Sequence, residues 1–296
     1  MAGLRLEHPV MNASGILGSE PEHVDILVKA GFSAVVTKTF TVEPREGYPP
    51  PILVELECCG YLNAVGLANP GINYIPLLVD RAKALGKPIV VSIGGRGVDE
   101  YIELATVAEE AGASAIELNL SCPHVKGHGL EIGSDPASVY ALVKDVASAV
   151  KKPVIAKLGF CDRVVESSGK ALEAGARALT LINTIKAMAI DVYSAKPVLS
   201  NVYGGLSGPA IKPIAVRVVY EVYREYSGAE IIGCGGISSW KDAAEYILAG
   251  AKAVQIGSGY LKNRNVVQEV INGLSKWVAG LGYKSIEGLV GLAHRG

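Results

Sequence analysis

The chain has 296 residues, 49% of them hydrophobic, and a formal net charge of −1 at pH 7. So large an apolar fraction supplies a sizeable core and argues against disorder, while the balanced charge argues against nucleic acid or an anionic membrane as the main partner. No stretch reaches the roughly 18 apolar residues of a membrane helix, and the amino terminus lacks an apolar core, so we expect a cytoplasmic protein. The five cysteines form no CxxC pair and no Cys/His ligand spacing, which predicts neither a disulfide framework nor a metal site.

Apolar runs and helical patterns alternate along the whole chain. The runs predict strands near 10–14, 34–39, 88–94, 115–121, 153–158, 178–183, 230–235 and 253–258. Between them, helices are predicted at about 20–30, 98–111, 136–150, 163–174, 211–226, 240–249 and 262–278. Irregular insertions are predicted near 40–75 and 185–210, within a single domain spanning 1–296.

One helix-to-strand junction occurs four times, as Ala-Gly followed by a strand, at residues 30–34, 111–115, 174–178 and 249–253. The glycine supplies the left-handed residue that ends a helix, so each junction returns the chain to the sheet. About eight strands alternating with helices predict a (β/α)8 TIM barrel. A doubly wound sheet is the alternative, but the first strand-to-helix turn, residues 12–18, lacks the dinucleotide spacing G-x-G-x-x-G.

The residues that follow the predicted strands are mostly polar or glycine. Because all strand carboxyl ends of a barrel open onto one face, these residues are expected to form one ring. Its amides, hydroxyls and two lysines suit a planar, hydrogen-bonding, partly anionic ligand, and it has no Asp/Glu/His cluster for a metal. The glycine turns of the last two strands are typical of a barrel phosphate site. The ring comprises Ala13-Ser14-Gly15, Lys38-Thr39, Asn119, Cys122, Lys157, Asn183-Thr184, Gly235-Gly236 and Gly257-Ser258-Gly259.

Cys122 is the candidate reactive group of this ring. It follows the apolar run 115–120, and Pro123 ends the strand because proline cannot donate to a sheet ladder. A thiol at a barrel rim can act as a nucleophile or base, whereas a cysteine alone is more often a small buried hydrophobic residue.

Five motifs, which occur along this chain in the same order as in the family, resemble class 1 dihydroorotate dehydrogenase, the FMN barrel of pyrimidine biosynthesis. The resemblance covers nearly the whole chain, and the stretch 182–208 is most similar to the B type, whose members work with a second subunit carrying FAD and an iron–sulfur cluster and pass electrons to NAD. The class 2 enzymes are less similar, since they have serine at the base position and an N-terminal membrane element. The motifs are Asn63-Ala64-Val65-Gly66-Leu67-Ala68-Asn69, Asn119-Leu120-Ser121-Cys122-Pro123, Ile182-Asn183-Thr184, Tyr203-Gly204-Gly205-Leu206-Ser207-Gly208 and Ile232-Gly233-Cys234-Gly235-Gly236-Ile237.

This resemblance implies two sets of ligand contacts. It also implies a reaction in which Cys122 takes the C5 proton of dihydroorotate while hydride leaves C6 for FMN, and in which Lys157 stabilises the anionic reduced flavin. It also implies a homodimer or hetero-oligomer. The FMN contacts would be Ala13, Ser14, Gly15, Lys38, Thr39, Asn119, Lys157, Gly208, Gly235, Gly236, Gly257 and Ser258. The substrate contacts would be Lys38, Asn63, Gly66, Leu67, Asn119, Asn183 and Thr184.

His124 departs from the family pattern, which usually has asparagine two residues after the cysteine. The same Cys-Pro-His occurs in the related dihydropyrimidine dehydrogenases, so reduction of uracil or thymine is an alternative function. A second alternative is a barrel that binds a phosphorylated ligand without redox chemistry.

Overall fold

The structure, a computed structural model, describes residues 1–57, 60–120 and 130–295. The strands are β1 (Val10–Asn12), β2 (Val35–Val36), β3 (Leu53–Leu56), β4 (Gly60–Asn63), β5 (Ile89–Ile93), β6 (Ala115–Asn119), β7 (Val154–Leu158), β8 (Ala178–Leu181), β9 (Ile185–Ala187), β10 (Ile190–Asp191), β11 (Lys196–Pro197), β12 (Gly204–Ser207), β13 (Ile231–Cys234) and β14 (Ala253–Ile256). The helices are α1 (Pro21–Ala30), α2 (Ile75–Ala84), α3 (Val98–Ala111), α4 (Leu130–Ser134), α5 (Pro136–Ala149), α6 (Val164–Glu173), α7 (Lys212–Glu225), α8 (Trp240–Ala249), α9 (Ser258–Lys262) and α10 (Val266–Gly280).

Eight strands form one parallel sheet in the order β1-β14-β13-β8-β7-β6-β5-β2. Helices connect them, so the predicted (β/α)8 barrel is confirmed. The sheet closes where β1 meets β2, and the side chain of Asn12 makes that seam. Its Nδ2 donates to the Val36 carbonyl at 2.7 Å, and its Oδ1 accepts from the Val36 N–H at 2.8 Å. A buried amide thus replaces a pair of ladder hydrogen bonds.

Asn12→Ala is expected to lower the free energy of unfolding by about 1–3 kcal/mol, because it leaves the buried Val36 N–H and C=O without partners. Urea denaturation would measure the loss. Asn265→Ala, at an exposed position, is the control and should stay within about 0.5 kcal/mol of the wild type. An equally small effect at Asn12 would show that the seam does not depend on its amide.

The barrel interior has an apolar layer at the amino ends of the strands and a polar layer above it. Alternate residues of a strand point the same way, so Ala115 and Ile155 in the lower layer are followed by Glu117 and Lys157 in the upper one. The lower layer consists of Ala2, Met11, Ala34, Val36, Val90, Ala115, Ile155, Ala178, Ile232 and Ala253. The larger core lies between the barrel and its helices. The polar layer therefore faces the carboxyl ends of the strands.

The two insertions differ from expectation because they are not irregular. Strands from both form a four-stranded sheet in the order β3-β4-β12-β9, antiparallel throughout, with Leu62 paired to Leu206. Its small core contains Leu62, Ala64 and Leu199. Helix α2 also lies where no helix was predicted, and it begins with Pro76 in its first turn, where proline is tolerated.

Candidate functional site

A cavity of about 370 Å³ opens at the carboxyl ends of the barrel strands and is partly covered by the insertion sheet. Every predicted site residue within the described part of the chain lines it. These are Ala13, Ser14, Gly15, Lys38, Thr39, Asn63, Gly66, Leu67, Asn119, Lys157, Asn183, Thr184, Gly208, Gly235, Gly236, Gly257 and Ser258. Cys122 and His124 lie outside the described residues, so the structure does not test their roles.

The cavity also has walls that the sequence reasoning missed. Tyr61 and Ser207 reach it from the insertion sheet, where they are paired across β4 and β12. That pairing joins segments far apart in sequence and leaves no local signal. Cys234, identified from the sequence only as part of a motif, lies in the wall as well. Burial raises the pKa of its thiol, which keeps it protonated and unreactive.

Hydrogen bonds fix the amides on one side of the cavity. Asn119 Nδ2 donates to Thr39 Oγ1 at 3.0 Å, and Asn183 Nδ2 donates to Asn119 Oδ1 at 3.4 Å. The hydroxyls of Ser14 and Ser92 lie 3.3 and 3.1 Å from Thr39 Oγ1. Five strand ends, those of β1, β2, β5, β6 and β8, are thereby joined into one preorganised polar wall.

Lys157 lies on the cavity floor and is only 3% exposed. Its Nζ donates to Gln255 Oε1 at 3.1 Å and is 3.6 Å from Glu117 Oε1. Gln255 and Thr180 both donate to the other oxygen of Glu117, at 2.8 and 3.0 Å. A buried cation at this position can stabilise negative charge on a ligand.

Lys38 is the second cation of the cavity. Burial lowers its pKa, because the wall removes water from the ammonium. Among the described residues, neither a salt bridge nor a side-chain hydrogen bond to this ammonium is present, and the described lining contains no Asp or Glu. The site therefore favours an anionic ligand.

The turn at Gly236 brings two backbone segments together. Gly236 has φ +68°, and a Cβ there would lie 2.7 Å from the Gly208 carbonyl oxygen and 2.8 Å from Lys212 Cβ. Gly208 and Gly235 also have positive φ, at 100° and 130°. The positive φ values favour glycine at all three positions, and at Gly236 a side chain would also clash, so backbone rather than side chain faces the cavity there.

The fold and the cavity define a (β/α)8-barrel protein with its ligand site where barrel enzymes have their active sites. The chain belongs to the dihydroorotate dehydrogenase family, whose model matches residues 1–278. That match confirms the family predicted from the motifs. It is a family of flavin-dependent oxidoreductases, and this chain is an enzyme of that kind.

Curated relatives match the chain along almost its full length. A protein of Aeropyrum pernix with the provisional name dihydroorotate dehydrogenase A (fumarate) is 50% identical over 100% of this chain and 96% of its own length. Relatives from Thermoplasma volcanium and Pyrococcus furiosus are 49% and 45% identical, over 99% of this chain and 97% of their own lengths. Both are named dihydroorotate dehydrogenase B (NAD(+)), catalytic subunit, which implies a separate partner subunit for those proteins.

In the described residues, no helix combines the length and hydropathy needed to cross a bilayer.

Proposed function

We propose that this chain oxidises dihydroorotate to orotate with bound FMN, in the biosynthesis of pyrimidines. The observation that carries the proposal is the composition of the cavity at the carboxyl ends of the barrel strands. It contains two lysines, a wall of fixed amides and close backbone turns at glycine, and its described lining has no carboxylate. Family membership favours this redox function over a non-redox phosphate-binding barrel.

The cavity fits FMN in size and in donors. Its volume lies within the roughly 300–1,000 Å³ of small-molecule pockets. The backbone at Gly236 and Gly257, with Ser258, would hold the phosphate, since neither glycine carries a side chain to block it. Lys157 would lie beside the flavin ring. When bound, FMN supplies the hydride acceptor.

The substrate would lie between the flavin and the segment 63–69. Asn69 holds this segment in place: its Nδ2 donates to the Leu67 carbonyl at 2.7 Å, while its Oδ1 accepts from Gly71 N at 2.9 Å. Leu67 adopts φ 58°, an uncommon conformation for leucine. Asn63, Asn183 and Thr184 would contact the pyrimidine, and Lys38 would contact both ligands.

Cys122 is the proposed base. Strand β6 ends at Asn119, and the next residue, Leu120, lies two residues before Cys122 in the sequence and donates its N–H to the Lys157 carbonyl at 3.0 Å. The thiolate would remove the C5 proton as hydride leaves C6, so that both electrons of the C6–H bond go to the flavin. The amide and lysine donors of the cavity would stabilise the enolate character that develops at the substrate carbonyl.

Gly236→Ala is expected to weaken FMN binding about tenfold or more, because strain of about 1–3 kcal/mol at a positive φ adds to the clash with Gly208. Quenching of FMN fluorescence would measure the dissociation constant. Gly86→Ala is the control, since Gly86 has φ +65° but open space around it. FMN affinity equal to that of the control would place the phosphate elsewhere.

Orotate should bind more weakly as pH rises. Below its pKa, Lys38 is an ammonium that attracts the orotate carboxylate, and above its pKa that attraction is lost. Because burial lowers this pKa from 10.5, the loss should begin at lower pH than for an exposed lysine. Spectral titration of the flavoprotein across pH would measure it. The Lys38→Met variant should bind orotate weakly at every pH. If its orotate affinity still falls as pH rises, the titration of another group causes that fall.

Anaerobic titration of the yellow protein tests the function. We expect dihydroorotate to bleach the flavin absorbance and dihydrouracil to leave it unchanged. Bleaching by dihydrouracil alone would support the dihydropyrimidine alternative that His124 raises. A chain that takes up no FMN would overturn the proposal.

We also propose a partner. A second subunit with FAD and an iron–sulfur cluster would take electrons from FMN and reduce NAD. The names of the B-type relatives support a separate subunit and NAD as the acceptor, whereas the FAD and the iron–sulfur cluster are what the resemblance to the B type implies.

A further inference from the structure

A fully buried carboxylate lies beneath the cavity floor with one oxygen unsatisfied. Glu117 is 0% exposed, and its Oε1 has no hydrogen-bond partner in the described structure. The nearest cationic group to that oxygen is the Lys157 ammonium at 3.6 Å. Gln255 joins the two charges, since its Oε1 accepts from Lys157 and its Nε2 donates to Glu117.

Stability does not explain this arrangement. Burying two charged side chains costs desolvation energy that apolar side chains of similar volume would not cost. This cost is offset best when the charged pair is fully hydrogen-bonded. Here the pair is incompletely bonded, and the layer directly below it is entirely apolar. An electrostatic role at the cavity is the remaining physical reason for a carboxylate at this position.

The charge of Glu117 acts on whatever occupies the cavity. Lys157 lines the cavity and Glu117 lies behind it, so a bound ligand meets the ammonium first and the carboxylate at longer range. Both charges interact strongly with a ligand in the water-poor cavity, because little water screens them. Together they carry no net charge, whereas Lys157 alone would present a full positive charge.

We propose that Glu117 is a positioning residue for Lys157. It holds the ammonium at the cavity floor through Gln255 and offsets part of its positive charge, and in this way it sets the reduction potential of the bound flavin. The inference rests on the proposed function, because it requires a flavin beside Lys157. Lys157 favours the added negative charge of the reduced flavin, and Glu117 opposes it.

The test is a double-variant cycle on the midpoint potential of the bound flavin, measured by equilibration with redox dyes. Glu117→Gln should shift the potential upward, and Lys157→Met should shift it downward. The double variant should return close to the wild type, because its two sites again sum to zero charge. Thr180→Val is the control: it removes the 3.0 Å hydrogen bond to Glu117 but keeps both charges, so the potential should stay near that of the wild type.

If Glu117 had a merely structural role, the midpoint potential of the double variant would not return to the wild-type value. A Glu117→Gln potential at or below the wild type, or a double variant equal to Lys157→Met, would overturn the proposal. If Glu117→Gln alone does not fold, the comparison of Lys157→Met with the double variant still decides. A wild type that binds no flavin would overturn both the inference and the proposed function. Compensating shifts in a protein that dihydroorotate does not bleach would support the inference and remove only the proposed substrate.

Discussion

Cys122→Ala is expected to slow reduction of the bound flavin by dihydroorotate by about 10²–10⁴-fold, the usual contribution of a positioned base. The variant should still bind FMN and orotate, because binding depends on the lysines, amides and glycine turns that line the cavity. Anaerobic stopped-flow measurement of flavin bleaching would give the rate. In the wild type this rate should rise with pH as the thiol deprotonates, and in the variant that rise should be absent.

Two further variants separate the base from other thiol effects. Cys161→Ala removes a half-buried thiol that does not line the cavity, and its bleaching rate should equal that of the wild type. Cys122→Ser should recover little activity except at high pH, because a hydroxyl is a poorer base. A near-normal rate in Cys122→Ala would assign the base to another residue.

The barrel was predictable because its signals are local. Most apolar runs lead into a helical pattern, and some helices end at a glycine, such as Gly31 and Gly112, which adopt the left-handed conformation at the ends of α1 and α3. The positions of site residues followed from that pattern, since strand carboxyl ends share one face. The barrel topology therefore brought Lys38, Asn119 and Lys157 together from sequence information alone.

The insertion sheet was not predictable in the same way. Its strand β12 consists of Gly204-Gly205-Leu206-Ser207, a composition with poor strand propensity. It forms a strand because β4 and β9 pair with it from either side, and the Tyr61–Ser207 partners are distant in sequence. Pairing of this kind is decided by tertiary structure, so the cavity wall it builds was missed.

The polar layer below the cavity was missed for a different reason. Glu117 and Gln255 lie within strand runs whose other residues are buried and mostly apolar, and nothing in their local sequence shows that they meet. Their contact requires two strands on different sides of a closed barrel to point inward at the same height. Only the closed barrel reveals that Glu117 meets Gln255, which also binds Lys157 on the strand next to that of Glu117.

A second large effect is expected when the electron acceptor of the reduced flavin is changed. We expect the purified chain, alone, to be reduced by dihydroorotate and reoxidised by artificial acceptors, but not to reduce NAD at a measurable rate. The reason is that the sequence has neither a cysteine cluster for an iron–sulfur centre nor a G-x-G-x-x-G motif for NAD. Steady-state assays with NAD, fumarate and a dye, each at saturating dihydroorotate, would measure the three rates.

These rates decide between the two kinds of relative. Addition of a partner subunit that carries FAD and an iron–sulfur cluster should confer NAD reduction, with the Cys122→Ala chain as the control that abolishes it in the same complex. NAD reduction by the chain alone would contradict the B-type assignment. Efficient turnover with fumarate alone would instead place the chain with the A type, the type named for the Aeropyrum pernix relative. Both assays begin from the same reduced flavin and differ only in the acceptor. A difference between their rates therefore identifies the molecule that takes the electrons from the flavin.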